Sequence, residues 1–575
     1  MHRSHLVAVL IAVSTLAACA PGAPAPGTPA PQARFNVVEA SIPQMKEAME
    51  NGQVTSRQLV EQYLQRIALY EDKLNAVITV NAKALEEADR LDAERKAGKI
   101  RGPLHGIPVA LKDNVLTMDI RTTGGAIAFE NLMPPYDATL TKNLRDAGAI
   151  ILAKTVMTEL ANYIAAGMPG NYSAVGGYGM NPYDPRLDPR PANADGRPVL
   201  NTGGSSSGIG TAANFWAANV GTETSGSILS PSNQNMLVGI KPTVGRISRY
   251  GVIPITADQD TAGPMAKSVT DAAIFFGALE SATPDPNDPA TTACQPAPNR
   301  DYSVHLKRDG LKGARIGIPR ANYYDKITLP GDKEPRGGLT EAQAKSMADA
   351  IEALKKEGAV IVDPADIPSI VDQDPNNNFL KWGSCGGPGD VKGKDQNCSY
   401  ALKYGMKRDF NNFLASLGAA APVKTLTELR AFNTAHANRN AIKYGQANLD
   451  VSDEIDVVKD KARWAADRAK DIRLGATHGI DEVMKAQKLD ALLFPGASGA
   501  GIAAKPGYPT VIVPFGLVMP MVPPNQPPMP DGFVLKPAPY GVSFTGMACS
   551  EPRLIELAFA FEQATRKRVP PASAP

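Results

Sequence analysis

Three adjacent serines sit between glycines in NTGGSSSGIGT at residues 201–211, and a second serine–glycine loop, GTETSGSILSP, follows at 221–231. Neither stretch suits the inside of a helix or strand, because glycine loses much freedom on ordering and serine competes for backbone hydrogen bonds. A phosphate-cradling loop needs GxxxxGK[ST], and here Ile209 follows Gly208 where the lysine would stand. A flexible linker is excluded by the flanks, VLN before and IGTAANFWAANV after, which place the glycines inside a folded unit. Nucleophilic catalysis remains, in two forms. In the first, Gly204 to Gly208 spells GxSxG, which would make Ser206 the nucleophile and would require a later histidine. His305, His436 and His478 are the histidines after the loop, all in polar or charged stretches. In the second, Ser227 attacks: Gly226 before it lets a ligand approach closely, and the N–H groups of Thr224, Ser225, Gly226 and Ser227 can converge on one oxygen. A serine needs a base. Lys112 ends the apolar run 107–111 in GPLHGIPVALKDN, where loss of hydration lowers an amine's pKa enough to leave part of it neutral. Taken alone, Lys112 reads more plainly as a solvated strand-end lysine paired with Asp113.

The elements that must hold these residues repeat one pattern. Thr55 and Gln58 begin a helix with a capping box, and Leu59, Tyr63, Leu64 and Ile67 line its inner face. Asp137 is placed to cap a helix bearing Leu140, Leu144 and Ala147; Gly148 ends it, and AIILAK follows as a buried strand. The pattern recurs as the strand RIGIP at 315–319, a helix opened by Thr340 and Gln343, and the strand AVIV. DALLFP at 490–495 and PTVIVPF at 509–515 read as buried strands, residues 552–568 as a closing amphipathic helix, and IGTAANFWAANV as a helix with a buried aromatic stretch. Strand and helix alternating from end to end give an α/β fold, a mostly parallel or mixed central sheet layered between helices. The body spans 35–571, with loop-like insertions at about 283–301 and 363–450.

The 575 residues are 43% hydrophobic and 21% charged, an ordinary globular mix, and a formal charge of +2 gives no footprint for nucleic acid. Residues 1–18 read as a signal peptide with a short basic start and an apolar centre. Their ending LAAC resembles the bacterial lipobox, which would make Cys19 the lipidated first residue, with 19–34 a Pro/Ala-rich tether. The expected location is therefore outside the cytoplasm, facing the periplasm or cell exterior, with the membrane touched only through that lipid. In an oxidising compartment Cys385 and Cys398 can close the loop between them as a disulfide; Cys294 and Cys549 are left unpaired. With no CxxC or HExxH pattern, no metal is expected, nor any cofactor.

Taken together, the segments GGSSSG, GTETSGSI, GIKPTVGRISRYG and DTAGPM, in that order and with VALKDN upstream, resemble the amidase signature family, closest to its peptide-amidase-like branch. FPGAS at 494–498 and the ending SEPRLIELAFAFEQATRKRVPP are also similar, so the resemblance covers nearly the whole mature chain. It implies hydrolysis of a small or peptidyl carboxamide through an acyl-enzyme by a Ser–cis-Ser–Lys triad. Ser227 is then the nucleophile, Ser205 the bridging serine after a cis peptide bond, Lys112 the base, and the N–H groups of Thr224, Ser225, Gly226 and Ser227 the oxyanion hole. The chain departs from the family pattern at Ser225, where glycine is common, and at Leu229, where arginine is common, which leaves Glu223 without its usual partner. The interval between Ser205 and Ser227 is also a little short, which keeps Ser206 open as the bridge. The alternatives are an α/β-hydrolase-type esterase using Ser206, the glutaminase-type subunit of a tRNA amidotransferase, which the export signal argues against, and a lipid-anchored binding protein on an inactive amidase scaffold.

Overall fold

The computed structural model describes residues 35–522 and 526–575. Residues 1–34, and with them the signal peptide, Cys19 and the tether, lie outside the described residues.

Eleven strands form one sheet: β1 (Val77–Val80), β2 (Pro108–Lys112), β3 (Ile150–Thr155), β4 (Ala218–Glu223), β5 (Val238–Lys241), β6 (Thr261–Ala266), β7 (Arg315–Gly317), β8 (Val360–Val362), β9 (Ala491–Pro495), β10 (Thr510–Val518) and β11 (Ala538–Thr545). Across the sheet they run β1-β3-β2-β4-β6-β5-β10-β11-β9-β7-β8. β3, β2 and β4 are mutually parallel, as are β9, β7 and β8, and the pairings from β4 through β6, β5, β10 and β11 to β9 are antiparallel. Every residue of β2, β3, β4 and β6 is buried, so both faces of the sheet's centre are covered, as a layered α/β fold requires. Residues Asn36–Pro575 make one unit around this sheet.

Much of the local pattern is as the sequence implies. Thr55 with Gln58 and Thr340 with Gln343 form reciprocal capping boxes at the starts of the helices Ser56–Leu74 and Glu341–Lys356. Other expectations are corrected. Asp137 does not cap the helix Thr139–Asp146; its carboxylate accepts the Met118 N–H and pairs with Arg145. The stretch after the serine loop is helical only over Ile209–Ala212. Asn214 then turns left-handed, Trp216 packs under Gly210, and the chain continues as β4. Sequence 363–450 is not irregular throughout. It holds the helices Ala401–Ser416 and Leu426–Ala435, and Ala447–Asp453 follows across its end.

The Cys385–Cys398 disulfide forms as expected. Cys294 and Cys549, expected to be unpaired, form a second one across 255 positions of chain. Folding brings them together because Gly245, with φ +90, lets Ala290 pack on its backbone, while Thr243 Oγ1 accepts the Cys549 N–H. No sequence spacing reports such a contact.

Candidate active site

β2 and β4 are parallel neighbours, so Lys112 and Glu223, their last residues, arrive at the same edge of the sheet. Ligand sites of open α/β sheets form at this carboxyl edge. Lys112 is not the solvated lysine of the plainer reading: it is fully buried, and Asp113 turns away to Thr123 and Lys154. Lys112 Nζ lies 2.7 Å from Ser205 Oγ, 2.8 Å from Thr222 Oγ1 and 3.1 Å from the Thr222 carbonyl. Burial lowers its pKa to about 7, against the smaller opposing pull of Asp260 and Glu223. A substantial fraction is therefore a free amine at neutral pH.

The two serine loops meet over the end of β4. Gly203, at φ +101, has Pro231 so close that a Cβ would lie 2.3 Å from its Cα. A Cβ on Gly204 would lie 2.9 Å from Ser227 Cα and 3.3 Å from Ser227 Oγ. These two glycines let the loops touch, which is what the bare sequence achieves. The bond between Gly204 and Ser205 is trans; among the described residues the cis peptide is Asp363–Pro364. The expected cis link is thus absent, and the turn at Gly203 with the close packing of Gly204 already delivers Ser205 Oγ to Lys112.

Ser205 and Ser206 differ in their partners. Ser206 Oγ donates to the Thr222 carbonyl and accepts the Thr222 N–H, which locks the loop to β4. It is fully buried and meets no histidine. His436 stacks on Phe432, His478 bridges Asp372 and Glu482, and His305 lies beside Tyr302. The histidine-based esterase reading therefore has no base. Ser205, also fully buried, is the serine on Lys112, whereas Ser227 is half-buried and open to a ligand. No hydrogen bond joins Ser205 Oγ to Ser227 Oγ in this structure; the loops are tied through Ser206 N–H to the Ser227 carbonyl, at 3.3 Å.

The segment before Ser227 is built to present donors. Gly226 has φ +92, and a Cβ built there would make only an ordinary contact with Ala500 Cβ, at 3.7 Å. The N–H groups of Thr224, Ser225, Gly226 and Ser227 find no acceptor among the described residues. Glu223 is not left without partners by Leu229: its carboxylate accepts the N–H groups of Ile228 and Leu229 at the start of the helix Leu229–Gln234. Thr224 Oγ1 donates to Asp260 at 2.5 Å, and Gln259 Nε2 donates to the Thr224 carbonyl. Burial raises Asp260 to about 6. Thr222, Gln259 and Asp260, which fix the amine and the donor loop, were missed at the sequence level although they sit inside GTETSGSI and DQDTAGPM. Among the described residues no cluster of His, Cys, Asp and Glu is arranged to hold a metal ion.

Residues 58–502 match the Amidase family. The chain belongs to that family. This amidase is 35% identical over 545 residues to a probable amidase of Arabidopsis thaliana, an alignment covering 93% of this chain and 92% of the plant protein. Among solved structures it is similar to the native peptide amidase of Stenotrophomonas maltophilia, with 34% identity, a TM-score of 0.75 and coverage of 93% and 99% of the two chains. An amidase family protein from Bacillus anthracis superposes with a TM-score of 0.74 at 30% identity, covering 93% of this chain and 92% of the other. The amidase is thus a hydrolase of amide C–N bonds on the expected α/β fold.

Proposed function

We propose that Ser227, Ser205 and Lys112 carry out that hydrolysis through an acyl-enzyme. The observation that carries this reading is a fully buried lysine amine 2.7 Å from a serine hydroxyl, with no carboxylate in hydrogen-bond contact. Neutral Lys112 takes the Ser205 proton as Ser205 takes that of Ser227, and Ser227 Oγ adds to the amide carbon. The relay closes when the Ser205 hydroxyl turns across the Gly204 contact to Ser227, a tightening expected when substrate binds. The oxyanion meets the free N–H groups of residues 224–227, each worth about 3 kcal/mol of barrier. Collapse breaks the C–N bond, and the leaving amine takes the proton held on Lys112 through Ser205. Water then adds to the acyl ester, with the proton running along the same path, and releases the acid.

The likeness to a peptide amidase favours peptidyl carboxamides as substrates. Two disulfides suit an oxidising compartment, which supports export with Cys19 as a lipid anchor. A panel of primary, aryl and peptidyl amides offered to the purified protein tests the reading. Release of ammonia or amine from at least one class, lost in Ser227→Ala, is the expected result; turnover undiminished in Ser227→Ala ends it.

A further inference from the structure

Where β10 runs out of the sheet it carries an apolar row on its outer side. Leu517, Met519 and Met521 are 44%, 50% and 64% exposed, while Val518, Pro520 and Val522 between them are less so. Spacing by two puts the three on one side of an extended chain, the side on which a solvated strand carries polar residues. The chain returns as β11, and just before it Val534 is 73% exposed. Arg186 fastens a second segment to this loop: its guanidinium lies 4.3 Å from the Phe533 ring centre and donates to the Val534 carbonyl at 2.9 Å. Leu187, the next residue, is 58% exposed. Exposed apolar side chains are ordinary when scattered singly, whereas a set gathered on one loop and its neighbour marks a surface that meets something.

Three features say what it meets. The methionines alternate with prolines: Pro520 separates Met519 from Met521, and Pro528 and Pro530 flank Met529. Proline has no N–H, so this loop carries fewer unpaired donors into an apolar medium. The rim is basic. Lys536 on the loop and Arg566 and Lys567 after the last helix are exposed, and the Lys567 ammonium lies 5.8 Å from the ring of Phe515, two residues before Leu517. Over 517–537 the one acidic residue is Asp531. Finally, the body begins beside this face. Arg568 holds Glu39 through two bonds of 2.8 and 2.9 Å, and the carbonyl of its neighbour Val569 accepts the Tyr183 hydroxyl, three residues before Arg186. Asn36 is three residues from Glu39, at most about 11 Å along the chain. The preceding residues, which read in sequence as an export signal and tether, therefore join the body here.

We propose that this face rests on a lipid bilayer with anionic headgroups. Leu517, Met519, Met521, Val534 and Leu187 enter the boundary between headgroups and acyl chains, and Lys536, Arg566 and Lys567 meet the phosphates. Methionine suits the first task because its flexible thioether adapts to irregular apolar surroundings. A tether rooted at the same face makes docking an intramolecular event once the chain is anchored, so a weak surface affinity is enough to hold the body down. The proposal is independent of the amidase reading. It extends the export reading without requiring a lipid on Cys19.

The test uses the chain from residue 19 onward made as Cys19→Ser, so that no lipid anchor contributes, and vesicles of phosphatidylcholine with and without phosphatidylglycerol. Sedimentation with the vesicles gives a partition coefficient. It is expected to be larger for the anionic vesicles and to fall with added salt. Met519→Asp with Val534→Asp is expected to lower it about tenfold or more, as is Lys536→Glu with Lys567→Glu. Val458→Asp, on a 79% exposed site elsewhere, leaves it as it was. Circular dichroism and denaturant unfolding of each variant separate a lost fold from a lost surface. A second measurement removes no apolar group from the rest of the row: an environment-sensitive dye on Val534→Cys shifts to the blue with anionic vesicles, and the same dye on Val458→Cys does not. No partition into anionic vesicles, equal partition of the parent and the apolar variant, or a dye at 534 that does not respond overturns the proposal. A dimer broken by Met519→Asp with Val534→Asp, without vesicle binding, assigns the face to a second copy of the chain and overturns it too. Mass spectrometry of the exported chain reads the lipid on Cys19 separately, so failure of the anchor and failure of the face are told apart.

Discussion

Two lysines end neighbouring parallel strands and differ in everything but their burial. Lys112 closes β2, Lys154 is the penultimate residue of β3, and both are fully buried. Lys154 Nζ donates to the Val115 carbonyl and to Thr122 Oγ1, each at 2.7 Å, and lies 3.4 Å from the Asp113 carboxylate. Lys112 has two hydroxyls and a carbonyl around it and no such carboxylate. Burial depresses both amines, but only Lys154 has an adjacent carboxylate drawing it back. One ties two loops together through a carboxylate, a carbonyl and a hydroxyl. The other is an amine able to give and take a proton. A buried lysine becomes a base through the neighbours it lacks.

The strongest way to break this contrast is to exchange the consequences. Lys112→Ala is expected to keep its fold and lose about 10³-fold or more in kcat/KM. Lys154→Ala leaves Asp113 buried without its partner and is expected to cost about 3–5 kcal/mol of stability, read by denaturant unfolding, while the folded fraction still turns over. The opposite assignment of losses would refute the comparison. Next in size, Ser205→Ala is expected to lower kcat/KM about 10²- to 10³-fold, and Ser206→Ala less than about tenfold, because Ser206 only fastens the loop to Thr222. A larger loss for Ser206→Ala would move the relay to the wrong serine. The pH profile sharpens the account further. The working form of Lys112 is neutral and its pKa is lowered to about 7, so the base form is present above pH 7 and protonated below it. Hence kcat/KM rises through about pH 7 to a plateau and drops about tenfold per unit on the acid side. The smallest effect expected is none: replacing His305, His436 and His478 together leaves turnover unchanged, whereas a histidine-based mechanism predicts a dead enzyme.

The sequence made the sheet's main strands and the chemistry-bearing residues visible for different reasons. Strands such as AIILAK and DALLFP are continuous apolar runs between turn residues, a signal that depends only on neighbours. Lys112 was legible as a strand-end lysine in apolar company, but its separation from Asp113 was not, since that depends on Lys154 arriving from the next strand. Gly203 and Gly204 announced a close approach without saying of what. The resemblance suggested a cis link, and the structure shows instead two loops in contact through a trans one. The Cys294–Cys549 pair and the role of Thr222 were hidden because both are contacts made by folding. IGTAANFWAANV misled because alanine and aromatic residues fit helix and buried strand alike, and Asn214 ends the helix early.

The account comes down to a proton moving from the hydroxyl of residue 227 to the amine of residue 112 by way of residue 205. Labelling with a fluorophosphonate probe, followed by mass spectrometry of the peptides, measures that step without any assumption about substrate. The prediction is a single adduct on Ser227, formed faster as pH rises through about 7, and nearly absent in both Lys112→Ala and Ser205→Ala. An adduct on Ser206, or labelling of Ser227 at full rate in Lys112→Ala, would contradict it.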